Sequence, residues 1–457
     1  MRTLLLSCYE LGHQPLSLAW PLAALEQAGY SARALDLSVA PLRGRDIRDA
    51  DVFAISVPMH TALRLGVDVA RRIRKKNPDA HIAFYGLYAW MNAPYLFDEG
   101  LVDSVIGGEA EPALVSLVTA LTNGTPTEDV PGVYTTPPQT PPHLPRVSLP
   151  VPSRTELPLP EHYARLMEDG TAWLAGYAET TRGCLHTCAH CPVVPVYGGR
   201  FFAVPLETVM ADIHQQVAEG VRHISFGDPD FLNGPTHALR VARALHAAFP
   251  HVTFDATIKV EHIVKYPDVL AKLRKLGAIF VISAFESVSD LVLHRLKKGH
   301  TRLEMDTALE ILRAAELPVQ PTWVAFTPWT TIDDYLDMLT WVRERRLITH
   351  VPIVQYAIRL LVPPQSILLT DPDVDAWLGK LDAANFTYRW DHPDPRMDDL
   401  YRRVAHLAEG YADADPYDAF RALETLAYEV AGRTPSAWVL PERILPPPPR
   451  LTEDWFC

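Results

Sequence analysis

Three cysteines crowd one short stretch of this chain: Cys184, Cys188 and Cys191, in TTRGCLHTCAHC at 180–191. Thiolates are soft ligands, and three on one loop can hold three irons of a [4Fe–4S] cube. The fourth iron then has no protein ligand. It stays open to a small chelating molecule, into which the reduced cube can pass one electron. The same thiols could instead bind zinc, which asks for a fourth Cys or His. His186 and His190 lie close enough in sequence to supply it. The spacing alone admits both metals, so the elements that carry the triplet bear on the choice.

The triplet follows a predicted strand at 175–183, and that strand opens a series. Runs at 222–228, 252–260, 279–287, 318–326 and 350–360 read as further strands, separated by helical stretches such as VMADIHQQVAEG and YPDVLAKLRKLG. Six βα units of this size predict a partial six-stranded βα barrel, open at one side, over 171–365. Barrels carry their reactive groups at the carboxyl ends of the strands. The cysteines, Asp228, Lys259 and Glu286 all fall there.

An earlier alternation occupies 1–130. Apolar runs at 3–8, 31–37, 51–57, 81–86 and 103–108, with helical patterns between them, predict a Rossmann-like doubly wound parallel sheet. Ligands of such sheets sit at the strand carboxyl ends, here 8–14, 58–61, 86–88 and 107–109. Prolines crowd the sequence after 131, so 131–170 reads as an extended linker. Residues 366–457 read as a mostly helical C-terminal extension ending in a Pro-rich tail.

The chain has 457 residues, 48% of them hydrophobic, so sizeable cores can be buried. Its formal charge of −13 argues against a nucleic-acid phosphate backbone as partner. RRIRKK at 71–76 reads as the solvated end of a helix. The start, MRTLLLSCYELGH, lacks a signal-peptide pattern, and no run of about eighteen apolar residues follows. A soluble cytoplasmic protein without a membrane partner is the expectation. Five cysteines are an odd number, which in a reducing compartment points to a metal or redox site. Cys8 reads as a small buried hydrophobe at a strand end.

With TxRGC before it and the six-strand pattern after it, the triplet resembles that of radical S-adenosylmethionine (SAM) enzymes. The resemblance implies a [4Fe–4S] cluster whose open iron chelates the amino and carboxylate groups of SAM. It also implies reductive C–S cleavage to a carbon radical, a small-molecule substrate, and an electron donor such as flavodoxin or ferredoxin. The family usually has an aromatic residue before the third cysteine; here it is His190, whose ring is expected near the adenine. GDPDF stands where the family has a Gly-Gly-Glu-like element for the SAM amino group. Gly227 and Asp228 are then the matching pair, with Asp230 a second acceptor or a helix cap. Glu286 and Ser287 are expected at the ribose or methionyl part, Val324 at the adenine, and Lys259 and Arg359 at the SAM carboxylate.

The first domain, ending in VDSVIGGEAEPALVSL, is similar to the cobalamin-binding domain that precedes the barrel in one large radical SAM class. Pro58, His60, Gly86 and Gly108 are the implied loop positions. No DxHxxG motif is present to donate a lower axial His. That leaves base-off cobalamin, or a domain that has kept the fold and changed its ligand. The ending EDWFC resembles the tails of radical SAM proteins reading Cys-(Sec or Cys)-Ala-Glu-Pro, cut after Cys457. That marks a selenoprotein candidate with a tail that handles substrate. The resemblance implies a transferase whose default reaction is cobalamin-linked methyl transfer. A sharper variant is transfer of the 3-amino-3-carboxypropyl group of SAM to arsenite, as in arsinothricin-type biosynthesis. The remaining alternative is a zinc-stabilised ligand-sensing protein without catalysis. Methylthiolation of a transfer RNA sits badly with the acidic charge and with no recognisable basic RNA-binding domain.

Overall fold

Runs rich in Val, Ile, Leu and Phe, flanked by helices, form strands that can be buried on both faces. In the first sheet, Thr3–Ser7 and Val52–Ser56 are buried at every position. The computed structural model describes residues 1–435, 438 and 448–453. Its first sheet runs Ala32–Asp36, Thr3–Ser7, Val52–Ser56, His81–Tyr85, Ser104–Ile106, Val133–Tyr134, all parallel except the last pair. In chain order this is the 2-1-3-4-5 arrangement of doubly wound folds, whose ligand crevice lies where the strand order reverses. That point is between Thr3–Ser7 and Val52–Ser56.

Helices Leu16–Gln27, His60–Lys76 and Ala110–Asn123 cover the sheet. The basic run 71–76 ends the second of these as a solvated face, its Arg74 paired with Asp103 at 2.8 Å. Cys8 is 4% exposed in the core on this side of the sheet, and burial pushes its thiol up to about 12.

The second sheet carries five parallel strands in the order Thr171–Ala178, His223–Phe226, Thr253–Thr257, Ala278–Glu286, Val319–Trp323. It is the expected half-barrel. The sixth position, 350–360, follows the fifth strand without forming a regular ladder. Pro352 begins a tight 3-10 turn at Ile353–Ala357. Contact with the fifth strand passes through a Phe326–Arg359 bridge and the Gln355 side chain, which accepts from the Trp323 N–H at 3.0 Å. At the other edge, Arg165–Glu168 and Arg450–Leu451 add antiparallel strands, so the end of the linker belongs to this sheet. Pairing that edge removes a row of open backbone groups.

The C-terminal region packs helices Pro395–Gly410 and Pro416–Val430 against each other. Its hairpin, Leu378–Asp382 with Thr387–Trp390, reaches the first domain. There Phe386 is 2% exposed among that domain's core residues, edge-on to Tyr95.

Residues at and just beyond the strand ends of the two sheets meet. His13 stacks on Tyr177 with ring centroids 4.3 Å apart. Arg182 reaches Glu109 at 2.8 Å and Glu111 at 2.7 Å. Tyr197 donates to Glu109 at 3.0 Å. Among the described residues, no helix is long and apolar enough to cross a membrane.

Candidate functional site

After Thr171–Ala178 the chain makes a short strand, Thr181–Gly183, paired with Phe201–Ala203. It then turns at Gly183, φ +77, where a Cβ would overlap the Arg200 carbonyl and the Tyr197 ring. That turn delivers Cys184 to the barrel mouth. The loop that follows is pinned along its length. The Leu185 N–H donates to Asn233 Oδ1 at 3.1 Å, the Ala189 N–H to the Leu296 carbonyl at 2.9 Å, and Ser366 Oγ to the Ala189 carbonyl at 3.4 Å.

Cys184 and Cys188 are 8% and 7% exposed, and Cys191 is half-buried. Burial first, then the neighbouring cysteines, pushes the Cys191 thiol up to about 12; burial also raises Cys184. Thiols that resist ionising, yet sit near enough to feel one another, suit a group that brings positive charge with it. Two buried polar atoms of residues in and against this loop, Asn233 Nδ2 and His190 Nδ1, have no hydrogen-bond partner. Their open valences also suit a bound group with acceptor atoms. Among the described residues, the three cysteines do not draw together as donors round one ion would. Cube ligands bind separate irons, and three cysteines on one loop are the donor set that a [4Fe–4S] cluster with one open iron takes.

Beside the loop lies a buried charged group. Glu286 ends the fourth barrel strand at φ +64, a left-handed conformation that costs a side-chain-bearing residue energy and recurs at functional sites. Its Oε1 lies 3.0 Å from Lys298 Nζ and 3.2 Å from His190 Nε2. Burial alone would raise this carboxyl, but Lys298 and then His190 outweigh it and hold it at about 2. Lys298 has its side chain only 4% exposed. Burial works against its charge; Glu286, Cys188 and Cys191 together more than restore it, and its pKa rises. Lys298 therefore supplies countercharge to both the carboxylate and the thiols.

The other residues singled out from the sequence take varied places. Gly227 lies under Tyr177, whose ring a Cβ would overlap. Asp228 accepts from the Thr180 N–H at 3.0 Å, from Thr180 Oγ1 at 2.7 Å and from Thr181 Oγ1. It thereby ties the second strand to the segment leading into the cysteines. Burial pushes its carboxyl up to about 6. Asp230 caps the turn Phe231–Asn233 by accepting from the Leu232 N–H.

Lys259 is 7% exposed, its Nζ 3.4 Å from Glu261. Ser287 is buried and accepts from the Ser289 N–H, while the Val324 N–H donates to the Glu286 carbonyl. Arg359, expected at the SAM carboxylate, is instead committed to the C-terminal region. It pairs with Asp398 at 2.8 Å, donates to the Trp390 carbonyl, and lies 3.6 Å over the Trp390 ring.

Of the first-domain loop positions, Gly86 backs onto Val57 and Pro58, and a Cβ at Gly108 would overlap the His143 backbone. Close packing against neighbouring backbone therefore accounts for a glycine at both positions. His60 is engaged through Nε2 by the Asn385 carbonyl at 2.8 Å. Cys457 lies outside the described residues.

Sequence reasoning missed Lys298 and Asn233. Nothing local distinguishes a buried Lys from a solvated one, and Asn233 stands in a turn whose sequence gives no sign of what its amide will meet. It also missed the carboxylates gathered near the junction of the sheets. Burial leads in raising Glu10 to about 8 and Glu179 to about 7, with neighbouring carboxylates adding to it.

Residues 178–348 match the family model of the radical SAM superfamily. Hopanoid C-3 methylase of Methylococcus capsulatus is 24% identical over 324 residues, covering 69% of this chain and 62% of that protein. The ribosomal protein uS12 methylthiotransferase RimO of Pseudomonas putida is 25% identical over 239 residues, covering 47% of this chain and 49% of that one. The chain thus spans between about half and three-fifths of these relatives' lengths.

Among solved structures, the radical SAM methyltransferase TsrM of Kitasatospora setae, with tryptophan substrate and aza-SAM bound, superposes with TM-score 0.70 at 16% identity. The match covers 91% of this chain and 89% of that one. The cobalamin-dependent SAM radical enzyme OxsB, with aqua-cobalamin and SAM bound, gives 0.70 at 14% identity, covering 94% and 71%. The chain therefore shares the fold of these proteins along most of its length, with the radical SAM match lying in its second sheet and the helices around it.

Proposed function

We propose that this chain is a radical SAM enzyme that cleaves SAM reductively and modifies a small molecule where its two sheets meet. The observation that carries the reading is the pinned three-cysteine loop beside the buried Lys298–Glu286–His190 group, at the carboxyl ends of the barrel strands. When bound, the cluster would supply one electron to the SAM sulfonium, so that one C–S bond breaks into a neutral thioether and a carbon radical.

The chain's own residues prepare that event. Cys184, Cys188 and Cys191 hold three irons. Lys298 balances thiolate charge in a site where burial makes each charge expensive. Glu286, kept anionic, accepts hydrogen bonds from a ribose hydroxyl or the SAM amino group, and Lys259 meets the carboxylate. The Phe285–Trp323–Trp341 cluster packs beneath these strand ends and keeps their spacing rigid.

Group transfer linked to cobalamin is the form of reaction that the shared fold with TsrM and OxsB supports. Any cobalamin would lie at the strand-order reversal of the first sheet, where Pro58, His60, Gly86 and Gly108 border the strand ends. A flavodoxin or ferredoxin is the fitting electron donor, in a reducing cytoplasm.

The test is anaerobic reconstitution, iron and cobalt analysis, and identification of the SAM fragments after reduction, with and without arsenite. Four irons with 5′-deoxyadenosine or S-adenosylhomocysteine support the proposal, and cobalt adds cobalamin. Methylthioadenosine without cobalt moves the cleavage to the aminocarboxypropyl side. Absence of iron, or no SAM turnover, overturns the reading.

A further inference from the structure

His186 lies between Cys184 and Cys188 in sequence, and its ring is engaged by carboxylates of two other segments. Its Nε2 is 3.2 Å from Asp230 Oδ2, and the same oxygen is 2.7 Å from His262 Nδ1. All three donor atoms lie within 4.8 Å of one another, the one such His/Cys/Asp/Glu set among the described residues. The contacts are short yet badly aligned: none of the three atoms makes a directional hydrogen bond, although all are buried. Asp230 has a fully buried side chain, and His262 and His186 are 7% and 15% exposed there. Three buried polar atoms that converge at ion-pair distance without well-aligned hydrogen bonds are a costly arrangement, which a bound cation would relieve. Around a tetrahedral ion with bonds of 2.0–2.1 Å, donor atoms stand about 3.3 Å apart; the His186–Asp230 spacing of 3.2 Å matches this and the Asp230–His262 spacing of 2.7 Å is shorter.

The surroundings agree. The other ring nitrogen of His186, Nδ1, lies 3.6 Å from Glu261 Oε2. A carboxylate behind a ligating imidazole is the usual device for fixing its tautomer and raising its basicity. Glu261 is itself faced by Lys259 at 3.4 Å. Gly299 leaves room for it, since a Cβ there would stand 2.9 Å from Glu261 Oε2.

We propose that His186, Asp230 and His262 form a mononuclear site for a borderline divalent cation such as Zn²⁺ or Fe²⁺, separate from the cluster. Two imidazoles and one carboxylate suit such ions, and three protein ligands leave a coordination position open. His186 comes from the cysteine loop, Asp230 from the end of the second barrel strand, and His262 from the helix after the third. The ion therefore clamps the cysteine loop onto two strand ends.

The test uses holoprotein with its cluster assembled, so that the cysteines are already occupied, dialysed against micromolar free Zn²⁺. One zinc per chain is expected in addition to the cluster iron. His262→Gln and Asp230→Asn should each lower zinc affinity at least tenfold while cluster iron stays unchanged. X-ray absorption at the zinc edge of the wild-type protein decides even where a variant fails to fold. Only nitrogen and oxygen neighbours are expected, whereas sulfur neighbours at about 2.3 Å would put the zinc on the cysteines and overturn the site. No zinc beyond background, or unchanged zinc in both variants, also overturns it. Iron content and SAM cleavage are read in parallel, so failure here is distinguishable from failure of the radical SAM reading.

Discussion

Replacing Arg154 with Met should loosen the joint that holds the two sheets together. Arg154 lies in the proline-rich segment, its side chain 1% exposed. Its Nε and Nη2 donate to the two oxygens of Asp212 at 2.6 and 2.8 Å, Nη2 also reaches the Tyr177 carbonyl at 2.8 Å, and Nη1 reaches Gln14 Oε1. One guanidinium thus ties the first domain, the linker and two barrel elements. Met fills much of the volume and removes every donor. Asp212, 3% exposed, would keep only the Gln216 amide as a partner.

An unpaired buried charge of this kind costs about 3–5 kcal/mol. At about 2–4 °C per kcal/mol for a domain of this size, the apparent melting temperature should drop on the order of 10 °C. Differential scanning calorimetry of the iron-loaded protein measures it. The double variant Arg154→Met with Asp212→Leu should recover at least half of the loss, because the stranded charge has gone. The Tyr177 carbonyl stays satisfied in both, since Gln216 also donates to it at 3.1 Å. A drop below about 2 °C, or a double variant no better than the single, would refute the buried-charge argument.

Alanine at any one of Cys184, Cys188 or Cys191 should abolish reductive SAM cleavage, and retained turnover in such a variant would sink the cluster assignment. Lys298→Met strands Glu286 beside His190 alone; SAM cleavage should fall at least tenfold with folded protein retained, and wild-type rates would remove Lys298 from the site. Gly227→Ala drives a methyl into the Tyr177 ring and should cost about 1–3 kcal/mol in urea unfolding. Tyr177→Ala should relieve that penalty, so a Gly227→Ala cost unchanged in the Tyr177→Ala background would contradict the clash.

Glu10, with its carboxyl pushed up to about 8, holds its proton in the folded chain after the unfolded chain has released it at about 4.5. The folded state then binds more protons, so melting temperature should fall as pH rises from about 5 to about 8. Glu10→Gln should flatten that slope, and an unchanged slope in the variant counts against it.

Much of the architecture could be read along the chain because its signals are local. Most strands of the first sheet are short apolar runs, and helix His60–Lys76 between two of them carries a clear amphipathic period. The cysteines lie within one loop, so their spacing alone reports what they can hold. The mostly helical end was visible for the same reason.

Contacts between distant segments were not. Lys298 in KKGHT looks like any exposed Lys until the turn after the fourth strand folds it against Glu286 and the thiols. His186 looks like a neighbour of the cysteines; the barrel carries it to Asp230 and His262, 44 and 76 positions away. Arg359 sits where a ligand contact is expected, yet the C-terminal helices reach it first. The apolar run around 353 has strand-like composition, but Pro352 and the Gln355 amide bond to Trp323 replace a ladder with a tight turn. Local sequence determined which segments become strands and helices and which loop carries three thiols, because those depend on side chains a few residues apart. The tertiary structure decided which charges are buried together, because burial and the partner that makes it tolerable come from segments whose meeting only the completed fold specifies.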